Sequence, residues 1–570
     1  MVLALIPAQS LQRTWRAGVA LAASLSLASG ANGGEIRFRE VGPAWGLDFR
    51  HNAGVSGRMY MVETMAGGVV VFDYDGDGDD DVFFVDGGRL PGYEGPRPRS
   101  RLFRNDTGEA TPSFVDVTDA AGIDFGGYGM GGTAGDVDGD GDVDVYVTAF
   151  GSNELFLNLG DGRFRAAGAG RGVDDPRWSA SAAFGDVDRD GDLDLYVVNY
   201  TDFSLANHKF CGPGGNANAQ PATEQLRIGE TTGGRGYCHP DMYNGVHDRL
   251  YRNDGRGFFT DTTRESGLDN VAEAGLGVVI GDLDGDAWPD LYVANDKDPN
   301  LLLRGVDGVR FEDESLLSGA AHDRNGNAEA GMGVELADLD GDGRQDLVVT
   351  NFALETNAFY AGAGDGIFLD RRYPSGLAQP SLKHLAFGVN ALDADLDGDN
   401  ELFVANGHIQ PNPAHIGEIG TYAQPNQLFE NLGEGRFRER LDVGLDQVHP
   451  SRGSAVADLD LDGDLEVIVV NSNQNAEVYE NRTSGQWLAL DVSLAHQVAV
   501  GVRIVLVAGD HLQARETRAG SSYLSQSTLT TFFGLGASES VDRLVVRSPG
   551  GGLPLVALDL PANRRLEVRR

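Results

Sequence analysis

One nine-residue pattern, Asp-x-Asp-x-Asp-Gly-x-x-Asp/Glu, occurs seven times in this 570-residue chain. Its recurring acids are Asp73, Asp75, Asp77 and Asp81; Asp136, Asp138, Asp140 and Asp144; Asp186, Asp188, Asp190 and Asp194; Asp282, Asp284, Asp286 and Asp290. They continue as Asp338, Asp340, Asp342 and Asp346; Asp393, Asp395, Asp397 and Glu401; Asp458, Asp460, Asp462 and Glu466. The seven windows hold 34 of the 86 acidic residues, so the acid is concentrated, not spread. Carboxylates this close repel one another unless a cation lies between them. Ca²⁺ takes about six to eight oxygens from a flexible loop, whereas Mg²⁺ demands a tighter octahedron and keeps its waters. Positions 1, 3 and 5 can turn inward, glycine at position 6 permits the sharp turn, position 7 can offer its carbonyl, and the acid at position 9 closes the cage. The pattern therefore predicts up to seven structural Ca²⁺ ions.

Histidine and cysteine supply the other candidates. Cys211 and Cys238 are the two cysteines, and both fall in one long connection. In an exported chain that spacing suggests a disulfide; two free thiols or half of a metal site are the alternatives. No HExxH, GxSxG, P-loop or dinucleotide fingerprint occurs.

The residues flanking the acidic windows are strand formers. Gly68–Phe72 leads into the first window and Val82–Val85 leaves it; the third exits into Leu195–Val198 and the fourth into Leu291–Ala294. β-branched and aromatic residues around a Gly/Asp turn predict a β-hairpin, not the helices of an EF-hand, whose closing acid also comes later. An apolar pair follows each window, for example Leu102-Phe103 and Leu428-Phe429, and an outer strand begins near Phe114, Phe164, Phe259, Phe311, Phe368 and Phe437. Each period thus supplies four strands, and four-stranded units repeated radially make a propeller. Small residues in the first strands, as in Gly131–Gly135 and Ser179–Ala183, suit a crowded axis. The seventh period lacks its outer strand, while Ile36–Glu40 stands alone before the first. The expectation is an all-β, seven-bladed propeller over residues 35–482, its last blade completed by the N-terminal strand. Short apolar runs after residue 486 predict a small antiparallel β-sandwich over 486–570.

If calcium occupies the loops between first and second strands, the opposite face is built from the remaining connections. His208, His239, His247, His408 and His415 fall in connections between second and third strands, and His51, His322, His384 and His449 in those between sheets. This places a candidate ligand or metal pocket at the channel mouth, with His51, His384 and His408 as its candidates.

The net charge of -41 disfavours nucleic acid and anionic lipid and favours cations. Arg13 and Arg16 precede an apolar stretch, Ala17–Ala28, and Ser29-Gly30-Ala31 offers a cleavage site. Residues 1–31 read as an export signal, implying a secreted, periplasmic or cell-surface protein with no membrane span after signal removal.

The repeats resemble FG-GAP/VCBS repeats of the integrin-α type. The tail resembles the ASPIC/UnbV domain through Arg518–Gln526, Phe533–Gly536 and Val545–Gly550. That order of parts is similar to the cartilage acidic protein family, and the resemblance implies the propeller fold and calcium binding more than an activity. Ala287 departs from the motif glycine, Arg189 sits inside the third window, and Ser548-Pro549 stands where the family tends to carry Trp-Pro. The functional expectation is a recognition scaffold for an extracellular protein or glycan. The alternative is an enzyme acting on acidic polysaccharide.

Overall fold

The computed structural model describes residues 33–107, 112–211, 236–494, 497–549 and 551–569. The stretch read as an export signal lies outside the described residues, as does the side chain of His415. Among the described residues no helix is long and apolar enough to cross a membrane.

The chain is all-β and propeller-like. Seven four-stranded sheets, numbered here by the acidic loop each carries, precede residue 482 among the described residues. Each window turns the hairpin between first and second strands in one register. Phe72 faces Asp81, Gly135 faces Asp144, and the pairing recurs through Ala457 and Glu466 in sheet seven. The second strands, such as Asp144–Ala149, are buried throughout, as expected of β-branched and aromatic runs covered on both sides. First strands neighbour one another in cyclic order, sheet one against two and onward, with sheet seven against one. Phe38–Glu40 pairs antiparallel with Glu477–Asn481 and supplies the fourth strand of sheet seven. The first and last segments of the repeat region are therefore held in a single sheet.

The C-terminal region forms two further sheets. Trp487–Leu494 pairs antiparallel with Thr531–Gly534 but parallel with Arg564–Arg569. The second sheet joins His511–Glu516, Arg503–Ala508, Ser540–Arg547 and Leu555–Pro561. One parallel pairing thus departs from the wholly antiparallel expectation, because the last strand returns to the outer side of the first. Leu488, Val502, Ile504, Phe533 and Leu544 share the core between the sheets.

The segment linking these two sheets fills the axis of the ring. Tyr523 and Leu524 are fully buried among Met65, Met130, Leu276, Met332 and Phe387. Tyr523 donates its hydroxyl to the Met65 carbonyl at 2.9 Å, and Gln526 Oε1 accepts from Thr133 Oγ1 at 2.7 Å and the Ala134 N–H at 2.8 Å. Ser522 and Val334 exchange backbone hydrogen bonds at 2.8 and 3.0 Å. The small first-strand residues have their reason here: a Cβ on Gly131 would stand 2.2 Å from the Leu524 carbonyl.

Candidate metal centres and the opposite face

In all seven loops the acid at position 9 accepts two backbone N–H groups, one from position 2 of its own loop and one from the end of the third strand. Asp81 takes those of Tyr74 and Asn105 at 2.8 and 2.7 Å; Glu466 takes those of Leu459 and Asn481 at 2.7 and 3.3 Å. The acid at position 1 accepts the N–H of position 6, as Asp73 does from Gly78 at 2.9 Å and Asp393 from Gly398 at 3.0 Å. These bonds fold the loop inward. The third strand then ties neighbouring sheets together through asparagine. Asn158 Nδ2 donates to the Tyr74 carbonyl of sheet one at 2.8 Å, and Asn481 Nδ2 to the Ala394 carbonyl of sheet six at 3.1 Å.

The folded loops gather oxygens with no proton to share. One oxygen each from Asp73, Asp75 and Asp81 lies within 4.8 Å of the others; the same holds for Asp136, Asp138 and Asp144, for Asp282, Asp284 and Asp290, and for Asp338, Asp340 and Asp346. In loop three the group is Asp186, Asp188 and Asp190. Oδ1 of Asp138, Asp186, Asp393 and Asp460 is buried without a hydrogen-bond partner. Burial with neighbouring acids pushes the Asp136 and Asp186 carboxyls up to about 6 and Asp338 and Asp393 to about 7. Orphaned buried carboxylate oxygens are costly unless a cation takes their lone pairs. An all-oxygen, multiply anionic donor set fits a hard divalent cation, and the loops fit Ca²⁺ on that chemistry.

The sequence pattern under-described these loops in two respects. Position 7 carries a carboxylate in five of them, and in two it is buried, Asp79 and Asp464, with both oxygens of Asp464 unpartnered. The recurrence of aspartate at that position was the available signal. Position 4 is left-handed as well as position 6: Gly76, Arg189, Leu396 and Leu461 have φ of 75, 63, 61 and 65°. Ala287 adopts φ 74° at position 6 and still donates to Asp282 at 3.2 Å, so the missing glycine is absorbed as backbone strain. Arginines already touch some candidate ligands: Arg252 bonds to Asp188 and lies 3.9 Å from Asp194 in loop three, and Arg344 bonds to Asp342 in loop five.

The C-terminal region rests on this face. The Gly534 N–H donates to Asp393 Oδ2 at 2.9 Å and the Gly536 N–H to the Leu396 carbonyl at 2.8 Å. Arg515 lies 3.7 Å from Asp393, Arg503 donates to the Gly343 carbonyl, and any side chain at Gly463 would collide with Trp487.

On the opposite face the three candidate histidines do not meet. His51 is fully buried; its Nδ1 accepts the Asn473 N–H at 3.2 Å, and Nε2 lies 4.0 Å from Asp86. His384 is half-buried, and burial lowers its pKa. His408 is fully buried, with Nδ1 accepting the Gln410 N–H at 3.0 Å, so its neutral ring carries the proton on Nε2. That Nε2 lies 3.4 Å from Glu418, whose other oxygen lies 3.1 Å from His239 Nε2. Burial pushes His408 down to about 4, whereas the bond to Glu418 raises His239. Phe352 packs against both rings, at 5.7 Å from His408 and 6.3 Å from His239. The convergent group is therefore His239, Glu418 and His408. Glu418 went unread because one acid in a long connection carries no pattern. Cys211 and Cys238 are disulfide-bonded with Cα atoms 5.2 Å apart, and they pack in the apolar core that closes the axis from this side.

Comparison with known proteins agrees with the repeat. A model of the FG-GAP-like repeat matches residues 73–147, 136–197, 282–349, 338–404 and 393–469, and an ASPIC and UnbV model matches 494–570. The chain belongs to the FG-GAP-repeat family with an ASPIC/UnbV tail. Cartilage acidic protein 1 of Xenopus tropicalis is 25% identical over 517 residues, covering 85% of this chain and 70% of the relative. The Homo sapiens protein of that name is 23% identical over 513 residues, covering 83% and 67%. Among solved structures, the BP39L lectin of Burkholderia pseudomallei is similar at TM-score 0.39 and 12% identity, covering 73% of this chain and 96% of its own. A lectin of Agrocybe aegerita, described as recognising non-reducing terminal N-acetylglucosamine, is similar at TM-score 0.35 and 15% identity, covering 74% and 91%.

Proposed function

We propose that this chain is an exported, calcium-binding β-propeller that acts as a recognition scaffold for an extracellular protein or glycan. In this reading residues 35–482 form a closed ring of seven blades, latched by Phe38–Glu40, and residues 486–570 form a sandwich that caps the acidic-loop face. Residues 1–31 are the export signal. The observation that carries the proposal is the sevenfold set of clustered carboxylates, five of them with buried unpartnered oxygens, set in one hydrogen-bond frame on one face. Such a frame holds hairpins; it leaves the longer, unrepeated connections opposite as the variable surface, where binding surfaces are commonly built. His51, His384 and His408 are retained as candidates for a site on that face, His51 and His408 lying fully buried beneath it, with His239 and Glu418 added. A glycan and protein array probed with and without Ca²⁺ tests the reading. Selective, calcium-dependent capture supports it, and uniform absence of capture by folded, calcium-loaded protein contradicts it.

One observation favours the second reading, an enzyme acting on acidic polysaccharide. His239, Glu418 and His408 converge beside the half-buried Phe352, which gives a base and a raised-pKa imidazole at one place. Release of unsaturated or reducing ends from uronate polymers, abolished by Glu418→Gln, would favour it over pure recognition.

A further inference from the structure

The seam between sheets three and four contains a cavity of about 330 Å³. Two local features bear on it. The residue preceding the third strand is asparagine in sheets two, four, five and six: Asn153, Asn300, Asn357 and Asn426. In each its Oδ1 accepts a backbone N–H from the end of the second strand. Sheet three keeps the bond but carries Asp248, which accepts the Asn199 N–H at 2.8 Å and the Tyr196 hydroxyl at 2.9 Å. The second feature lies in the connection that follows. Three residues after its glycine, the connections into sheets one and two place Phe49 and Phe125, both buried. The connection into sheet four has Asn270, which turns to solvent and leaves the space beneath Leu268 unfilled.

The cavity has two chemically distinct sides. Leu268, Leu303 and Phe311 give it an apolar wall. Asp248 and Glu273 give it an acidic one, and Glu273 Oε2 is buried with no hydrogen-bond partner. None of the residues lining it is basic. A ligand that satisfies both walls needs hydrogen-bond donors, positive charge and a hydrocarbon body.

We propose that this seam cavity is a binding site for a small organic ammonium, its N–H donors on Glu273 and Asp248 and its hydrocarbon against Leu268, Leu303 and Phe311. Burial pushes the Glu273 carboxyl up to about 7, with Asp298, Asp313 and Asp248 adding to the rise. Burial likewise holds Asp248 near 7, with Asp175 raising and Arg249 opposing. A cation between the two acids removes that repulsion. The site stands apart from the acidic loops and from the His239–Glu418–His408 group, so it does not depend on the recognition reading.

The probe is cyclohexylammonium, titrated calorimetrically into the full, calcium-loaded chain at about pH 8, where both acids are largely ionised. Cyclohexanol serves as the neutral isostere and ammonium chloride as the charge alone. The expected result is saturable binding of cyclohexylammonium, at least about tenfold tighter than either control. Glu273→Gln should weaken it by about tenfold or more, and Asn270→Phe, which fills the space as Phe49 and Phe125 do in the connections into sheets one and two, should abolish it. Asp248→Asn restores the residue of four other sheets, so it should fold normally and also bind weakly. The proposal is overturned by absent saturable binding to the unaltered chain, by equal binding of cyclohexanol, or by unchanged affinity in Glu273→Gln and Asp248→Asn.

Discussion

On the acidic-loop face the same carboxylate makes the same two backbone hydrogen bonds in every sheet, from Asp81 to Glu466. On the opposite face no such frame recurs. His51 is held by Asn473, His247 by Val271, and His408 by Gln410. One face repeats an anionic geometry that calls for an ion; the other holds its side chains by local contacts that differ from one to the next, and leaves His51 Nε2, His384 Nδ1 and His408 Nε2 without a hydrogen-bond partner. The contrast separates what holds the hairpins from what is free to vary, and it can be broken in several places.

The largest expected effect is metal removal. Excess EDTA should lower the melting temperature by more than about 10 °C, since each bound ion that leaves withdraws stabilisation from the folded state only. An unchanged calorimetric midpoint in fully demetallated protein would remove the distinction between the faces. Next comes the clamp of the opposite face. Cys238→Ala should cost about 3–4 kcal/mol in denaturant unfolding by the chain-entropy estimate, with calcium content unchanged. If calcium content falls with it, the two faces are coupled more tightly than described.

A smaller effect is expected at one inter-sheet tie. Asn481→Ala removes the bond to the Ala394 carbonyl and leaves that buried acceptor unmet, for a loss of about 1–3 kcal/mol in denaturant unfolding. The smallest change in stability should come from His239→Ala, whose ring is partly exposed. Melting should shift by about 0.5 kcal/mol or less while ligand capture on the array falls. Silent His239, Glu418 and His384 variants, beside a loop variant such as Asp338→Asn that abolishes capture in folded protein, would assign recognition to the wrong face.

Much of this contrast was legible in sequence because it is local. The window fixes its own hairpin register, the unpaired Ile36–Glu40 segment announces its partner sheet, and two cysteines in one connection found each other. The axial plug was not legible. Gln526 meets Thr133 across 393 positions, and the Arg518–Gln526 stretch carries no hydrophobic period to place it inside a ring. Left-handed position 4 was masked by Arg189, Leu396 and Leu461, whose identities argue against that conformation. The aspartates at position 7 were readable, but the motif's backbone carbonyl had already been given that role. Glu418 was beyond reach, since its meaning depends on two histidines brought from other connections.

The central claim is that the acidic loops are ion-binding and hold the fold. Its most direct test is calcium stoichiometry on demetallated, refilled protein, by native mass spectrometry with atomic emission on the same sample. Seven windows predict up to seven Ca²⁺ per chain, the ions of loops three and five leaving first because Arg252 and Arg344 already bond to Asp188 and Asp342. The chain's charge of -41 would move to about -27 on full loading. A folded protein that retains no divalent ion at saturating calcium, with the same melting temperature in its absence, would contradict the account.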